Sequence, residues 1–351
     1  MNEPGVAPKG RGDIARPVWG TRFYEPGDET RIIAMLERAF DVWPRDEINV
    51  SREDHLRWKL ESHPNAAWQC IVAETPERVV GFQGYWLIEV KVDDAVLLAR
   101  VGVDFAVDPD YQRLGVKVAM RDRAQVDNPR RVFDVHFEPD SGHPAFLHMR
   151  RKRGKAAQPR LAHRVEARVL QIERSARPAS GANEWTVREV SSFDERADGL
   201  WDAASVPFRA AVVRKAGYLN WRYADERGGR YTVRVAEQDG KLLGYLVTRI
   251  SNGRGFITDM LVLPDRMDVL RSLVAQSLGG LQEQGAREVE CWLPEHHPYW
   301  AGLSHFPFDR KRRSIDYKLT SNSLTPERLQ IPFADDPRAP LHITIGDSDV
   351  G

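Results

Sequence analysis

Residues 101–117 read VGVDFAVDPDYQRLGVK and hold the types and spacing that could handle an anion. An aliphatic run stops at Asp108-Pro109-Asp110, turns through Gln112, Arg113, Leu114 and Gly115, and enters a helix at Val116 and Lys117. The first N–H groups of a helix have no intrahelical partner, and the helix dipole adds partial positive charge there. Gly115 lets the backbone approach a ligand with no Cβ in the way, and Gln112 and Arg113 add donors. The natural ligand of such a turn is a phosphate or pyrophosphate. A plain strand-to-helix connection reads the same way, and the tetrad alone leaves both readings open. Asp104 lies inside the preceding run. A second stretch, TDMLVLPDRMDV at 258–269, repeats the strand and the Pro-Asp but has no glycine. It puts Asp268 in the turn, where a carboxylate would repel an anion.

The elements that must position these residues also repeat. His55-Leu56-Arg57-Trp58-Lys59-Leu60 matches Tyr218-Leu219-Asn220-Trp221-Arg222-Tyr223, an offset of 163 residues. The match continues through Val80-Gly81-Phe82 with Leu243-Gly244-Tyr245, Asp104 with Asp259, Pro109-Asp110 with Pro264-Asp265, and His143-Pro144 with His297-Pro298. Between Phe82 and Asp104 the first copy has a longer hairpin, a length change that loops tolerate at small entropic cost. Each copy reads as a strand, polar helices, a hairpin, the Asp-bearing strand, a helix, a strand, a helix and a last strand: an α/β chain of the mixed-sheet, α+β kind. In the second copy Leu270, Leu273, Val274, Leu278 and Leu281 fall at helical spacing and Gly285 ends the helix. The boundaries expected are a flexible arm at 1–17, a first domain at 18–178, a second at 185–320 and a tail at 321–351.

Composition bounds the class. The 351 residues carry 51 Lys+Arg against 51 Asp+Glu, so no global charge argues for nucleic acid or membrane. Two cysteines argue against a disulfide framework, no apolar run is long enough to span a bilayer, and the N-terminal stretch has no hydrophobic signal core. The chain reads as soluble and cytoplasmic.

The order of elements, with VDPDYQRLGV after the fourth strand, resembles the GCN5-related N-acetyltransferase (GNAT) family, whose loop Gln/Arg-x-x-Gly-x-Gly/Ala holds the pyrophosphate of acetyl-CoA. The resemblance spans roughly 20–175 and again 185–320, so it implies two tandem GNAT-like domains. The loop is Gln112 to Lys117, with lysine where the family has Gly or Ala. Lys117 would crowd the loop or add a cation to the phosphates. The resemblance further implies that the backbone of Phe105, Ala106 and Val107 pairs with the pantetheine arm as an added strand. It implies a first copy that binds acetyl-CoA through Phe105, Val107, Gln112, Arg113, Leu114, Gly115, Val116 and Lys117, and a second copy that has lost its cofactor loop. No metal is implied.

Acetyl transfer needs a neutral amine, an oxyanion donor and a proton for the leaving thiolate. Asp104 is a candidate general base, although its recurrence as Asp259 in the copy without a loop favours a structural role. The family's tyrosine acid falls on Arg150, whose guanidinium cannot readily give up a proton but could hold a thiolate or phosphate. His148 is a candidate catalytic residue; His143 recurs as His297 and fits packing. Trp58 and Trp221 recur in both copies, which favours core packing over substrate stacking. The basic run RRKRGKAAQPR fits a solvated face, the CoA 3′-phosphate or an anionic acceptor. The segment HHPYW at 296–300 could line a pocket or pack a helix, and Asp347 and Asp349 read as a turn. The expected activity is acyl-CoA-dependent N-acyl transfer to a small-molecule amine, aminosugar or peptide, with the acceptor pocket between the domains. Two alternatives stand beside it: a Fem-like aminoacyl transferase taking aminoacyl-tRNA, which the phosphate loop argues against, and a non-catalytic CoA- or metabolite-binding protein.

Overall fold

The computed structural model describes residues 18–44, 48–65, 70–126, 133–139, 163–172, 184–308, 310–321, 336 and 338–349. His143, His148, Arg150 and the basic run at 150–160 lie outside the described residues.

The first copy contributes β1 (Gly20–Phe23), α1 (Glu29–Phe40), α2 (Arg52–Glu61), β2 (Ile71–Glu74), β3 (Val79–Val92), β4 (Ala95–Val107), α3 (Val116–Val126), β5 (Phe133–Pro139) and β6 (His163–Gln171). The second contributes β7 (Thr186–Val190), β8 (Ala210–Val212), β9 (Thr232–Gln238), β10 (Lys241–Ser251), β11 (Arg254–Val262), β12 (Glu288–Pro294) and β13 (Arg310–Ser321), with the helix Met267–Glu283 between β11 and β12. Gly285 closes that helix at φ +88°, a conformation that costs glycine least.

Among the described residues these thirteen strands and a short fourteenth, β14 (Leu341–His342), form one 14-stranded sheet whose main path is β1-β2-β3-β4-β5-β13-β6-β12-β11-β10-β9-β7, with β8 and β14 paired off it. The order is a palindrome once the copies are interchanged. At its centre the copies exchange last strands: β13 pairs with β5 of the first copy, and β6 pairs with β12 of the second. Neither copy therefore completes its sheet alone.

The two repeated tryptophans mark the local two-fold relation. The Trp58 and Trp221 rings stack at 5.2 Å and 19°. Trp58 Nε1 donates to the Trp221 carbonyl at 2.9 Å, and Trp221 Nε1 returns the bond to the Trp58 carbonyl at 3.3 Å. Both rings are buried, with Trp86 edge-on to each, in a core that continues across both copies. Such aromatic pairs add about 0.5–1.5 kcal/mol beyond the area they bury.

The longer hairpin of the first copy has a structural use. The extended end of β3 pairs with β8, Val90 opposite Val212 and Val92 opposite Ala210. Lys91 Nζ donates to the Ser205 and Phe208 carbonyls at 2.6 and 2.9 Å, and Arg209 bridges Asp93 at 2.7 Å. The extra residues clamp one copy to the other.

Candidate active site

β4 and β5 run parallel from Ala99 opposite Phe133 to Val101 opposite Val135 and then separate, although β4 continues to Val107 and β5 to Pro139. The separation begins where β4 bulges against β3: Gly84 faces Val103 and Phe82 faces Ala106, leaving Asp104 and Phe105 opposite one residue. Asp104 takes φ +47°, so the bend lies in its own backbone. Beyond the bulge Asp108 N–H reaches back to the Val80 carbonyl on β3. Alternation then turns the N–H groups of Phe105 and Val107 toward the open side. This is an unpaired strand edge of the kind that accepts an extended, amide-containing ligand.

The edge leads into the glycine turn. Arg113 and Gly115 adopt φ +65° and +90°, and a Cβ on Gly115 would meet nothing within 4 Å. Residues 112–115 are exposed, and among the described residues the N–H groups of Arg113, Leu114, Gly115 and Val116 have no acceptor. Lys117 does not fill the turn: its Nζ lies 5.0 Å from the Phe105 ring centroid. Gln112 Nε2 lies 3.5 Å from the Val107 carbonyl.

The other side of the bulge opens into a cavity of about 1400 Å3 walled by both copies. α2 begins at an N-cap, Ser51, whose hydroxyl accepts the Asp54 N–H at 3.0 Å. His55, Trp58 and Lys59 then fall at helical i, i+3 and i+4 positions, so one face carries all three into the cavity wall. Lys59 Nζ bridges Asp104 at 2.8 Å and Asp349 at 2.7 Å. Asp104 also accepts Trp43 Nε1 at 2.8 Å, and its own N–H points at Asp349 Oδ2 at 3.3 Å. Burial works against the Lys59 ammonium, but the two carboxylates outweigh it and hold it above its usual pKa. Burial, with Asp104 beside it and only one ammonium shared, pushes Asp349 up to about 6. His55 is pushed down to about 4 by burial and the nearby Lys59 ammonium, so it is neutral at physiological pH. Its Nδ1 is 2.6 Å from the Arg227 carbonyl and must be the protonated nitrogen.

The second copy has the same splay, since β11 and β12 pair only from Arg254 opposite Glu288 to Ile257 opposite Cys291. Here the opening is filled by the chain. The Tyr299 hydroxyl accepts the Val262 N–H at 3.0 Å and donates to the Val262 carbonyl at 3.2 Å. The tail packs against β12 through β14 (Leu341–His342) and against β11 through the turn Ile345–Asp347. Arg214, fully buried, bridges Asp259 at 3.0 Å and Asp347 at 2.8 Å. Tyr223, Tyr245 and Thr344 complete the shell around the Asp259 carboxylate. Asp268 lies at the start of the helix Met267–Glu283 instead of in the turn before it, and pairs there with Arg266 at 3.0 Å.

Of the residues singled out in the sequence, Asp104, Phe105 and Val107 follow one another along β4 and Gln112 to Lys117 along the turn into α3; of these Asp104 and Phe105 line the cavity. The HHPYW segment packs instead of lining the cavity: His297 and Tyr299 are buried, and Trp300 Nε1 donates to the Pro294 carbonyl at 2.9 Å. Sequence reasoning missed Trp43, His55, Lys59 and Asp349. The i, i+3, i+4 face of α2 was a signal for two of them. Asp349 had none, since it arrives from the far end of the chain. Among the described residues no group of three His, Cys, Asp or Glu is placed to hold a metal, and no helix is long and apolar enough to cross a membrane.

No sequence-family profile and no curated protein matches the chain. Solved structures do. A GCN5-related N-acetyltransferase from Anabaena variabilis aligns at TM-score 0.60 and 10% identity, over 87% of this chain and 73% of that one. One from Kribbella flavida aligns at 0.60 and 17%, over 86% and 70%. The N-myristoyltransferase of Saccharomyces cerevisiae, solved with bound myristoyl-CoA, aligns at 0.59 and 12%, over 92% and 90%. These superpositions, with the palindromic strand order, establish that the chain has the GCN5-related N-acetyltransferase fold, built twice.

Proposed function

We propose that the chain is an acyl-CoA-dependent N-acyltransferase with its acyl-CoA in the first copy and its acceptor amine in the cavity between the copies. The observation that carries this reading is the course of the first-copy backbone. Among the described residues, four N–H groups without acceptors at the glycine turn are followed back along the splayed end of β4 to a carboxylate pair at the cavity.

The turn at Arg113 to Val116 holds the pyrophosphate through backbone N–H groups. The edge at Phe105 and Val107 aligns the pantetheine amides, which brings the thioester to the bulge. Asp104 spends its carboxylate on Trp43 and Lys59 and so acts as a positioning residue. Asp349 meets Lys59 through Oδ1 and the Asp104 N–H through Oδ2, each oxygen retains a lone pair for another donor, and the group titrates near the range a general base needs. It takes the proton of the incoming ammonium. The neutral amine attacks the thioester carbon, the C–N bond forms as the C–S bond breaks, the proton that the new amide nitrogen sheds passes through water to the CoA thiolate, and Asp349 returns its own proton to solvent. Acetyl is the acyl group of this reading.

The test is thiol release from acetyl-CoA by the full chain with a panel of primary amines, beside calorimetry with CoA. Gly115→Glu adds bulk and negative charge at the pyrophosphate and should weaken CoA binding about tenfold or more, about 1.4 kcal/mol per decade. Unchanged affinity in the folded variant would overturn the placement of the cofactor.

A further inference from the structure

We propose that His55 selects the acceptor: its Nε2 accepts a hydrogen bond from an uncharged donor, a hydroxyl or an amide N–H, carried by the amine substrate. The inference rests on the functional reading above and extends it to substrate class. Most of the His55 ring is already used. Trp58 stacks on it at 5.4 Å and 27°, and Trp43 tilts against it at 5.6 Å and 56°. Nδ1 meets the Arg227 carbonyl at 2.6 Å, so Nδ1 carries the proton and Nε2 the lone pair. Among the described residues Nε2 has no hydrogen-bond partner, and it is not closed off from solvent as His63 Nε2 is. The residue is only 6% exposed and lines the cavity. What His55 offers the cavity is therefore a buried, oriented acceptor.

The second copy fixes this arrangement. Arg227 belongs to a short turn, Glu226–Gly228, in which the Asp225 carboxylate accepts the Arg227 N–H at 3.0 Å. The turn lies so close on Trp58 that a Cβ at Gly228 would come within 2.5 Å of the indole. Packing symmetry does not require an imidazole here. Trp58 recurs as Trp221, but the position of His55 holds Tyr218, which is buried off the cavity wall. Burial keeps the His55 ring neutral, and Lys59 and Arg222, two cations of the same wall, act in the same direction against the Arg227 carbonyl and Asp104. An ammonium goes to the carboxylates of Asp104 and Asp349, which leaves the imidazole lone pair for an uncharged donor. Trp43 sets the two places side by side: besides touching His55, its ring lies 5.9 Å from Lys59 Nζ and its Nε1 donates to Asp104 at 2.8 Å. His55 and Lys59 are one helical turn apart, so the donor and the reacting amine are separated by about 5–6 Å, the span of a short amino alcohol or amino amide.

The experiment compares four amines of similar length with the full protein and acetyl-CoA: aminobutanol, aminopropylformamide, methoxybutylamine and pentylamine. The expected result is kcat/KM about tenfold higher for the better of the hydroxyl and amide probes than for methoxybutylamine or pentylamine, the worth of one hydrogen bond whose absence leaves a buried acceptor unpaired. The better arm identifies hydroxyl or amide, and either one supports the proposal. Two substitutions separate recognition from packing. His55→Asn keeps a donor near the Arg227 carbonyl but withdraws the acceptor from the cavity, and should bring the donor probes to near parity with methoxybutylamine. His55→Gln extends an amide toward the Nε2 position and should retain part of the preference. A merely structural role would lower all four probes together and leave their ratios unchanged. Parity among the probes in the native protein, or the tenfold ratio persisting in a folded His55→Asn variant, overturns the proposal. Should that variant fold poorly, the native ratios and His55→Gln decide. If no amine is turned over, aminobutanol or aminopropylformamide must still raise the Tm of the native protein more than methoxybutylamine does; failing that, the proposal is wrong. Absence of CoA binding would instead strike the functional reading, and the same Tm comparison would then judge His55.

Discussion

The two copies place the same aspartate on the same strand and then use it in opposite ways. Asp104 lies at the wall of an open cavity and shares Lys59 with Asp349, while Asp259 is sealed in a buried shell with Arg214 and Asp347. Both partner carboxylates come from one tail turn, two residues apart. Asp347 pairs with Arg214 of the second copy and Asp349 with Lys59 of the first. On the proposed reading a duplicated site is divided between stability and chemistry, and the tail couples the two halves.

The largest expected effect tests that division. Arg214→Ala leaves Asp259 and Asp347 buried without a cation, and breaking a buried pair of this kind costs about 3–5 kcal/mol. A denaturation midpoint that moves by less than about 1 kcal/mol would show that the second copy's shell is not a structural lock. Lys59→Met, the corresponding lesion in the first copy, should cost less stability because Asp104 and Asp349 adjoin the open cavity. Its signature is kinetic, a pH profile displaced upward, because Asp349 loses the ammonium that opposes its protonation.

Next in size is Asp349→Asn. General-base groups contribute roughly 10²–10⁴-fold, so turnover should fall at least 100-fold with acetyl-CoA affinity preserved. The sign of the pH dependence follows from the raised pKa. Below about 6 Asp349 is protonated and cannot accept a proton, so the native rate climbs as pH passes through about 6. The variant should lack that limb. A native profile flat between pH 5 and pH 7 would remove Asp349 from the base role.

How much of this was legible in the sequence depends on how local the signal was. The repeat, the helix that ends at Gly285 and the strand-to-glycine turn at Gly115 are contiguous patterns, and the structure contains each. The tryptophans were legible as core because they recur, and they prove to be the hinge of the local two-fold relation. The exchange of β6 and β13 was not legible. An apolar alternation says that a strand is buried on one face but not which strand lies beside it, and either copy's last strand satisfies both neighbours. Nor was the tail. Its ITIGDSD carries no helical or strand period, and its meaning comes from Arg214 and Lys59, each more than a hundred residues away.

The smallest effect expected is also the sharpest test of the asymmetry. Tyr299→Phe removes only the hydroxyl that satisfies both the N–H and the carbonyl of Val262, the strand position matching Val107. Leaving a buried backbone pair without that partner costs about 1–3 kcal/mol. If the second copy were merely an acyl-CoA site waiting to be opened, the variant would bind a second CoA. It should not. The tail still lies across β11 and β12, Asp268 remains at the start of the helix, and Arg266 is already committed to it. Calorimetry should therefore give one CoA per chain for both proteins, with only the melting point changed. A stoichiometry of two in the native protein would erase the distinction between the copies. A stoichiometry of two in the variant alone would reduce that distinction to a single hydroxyl.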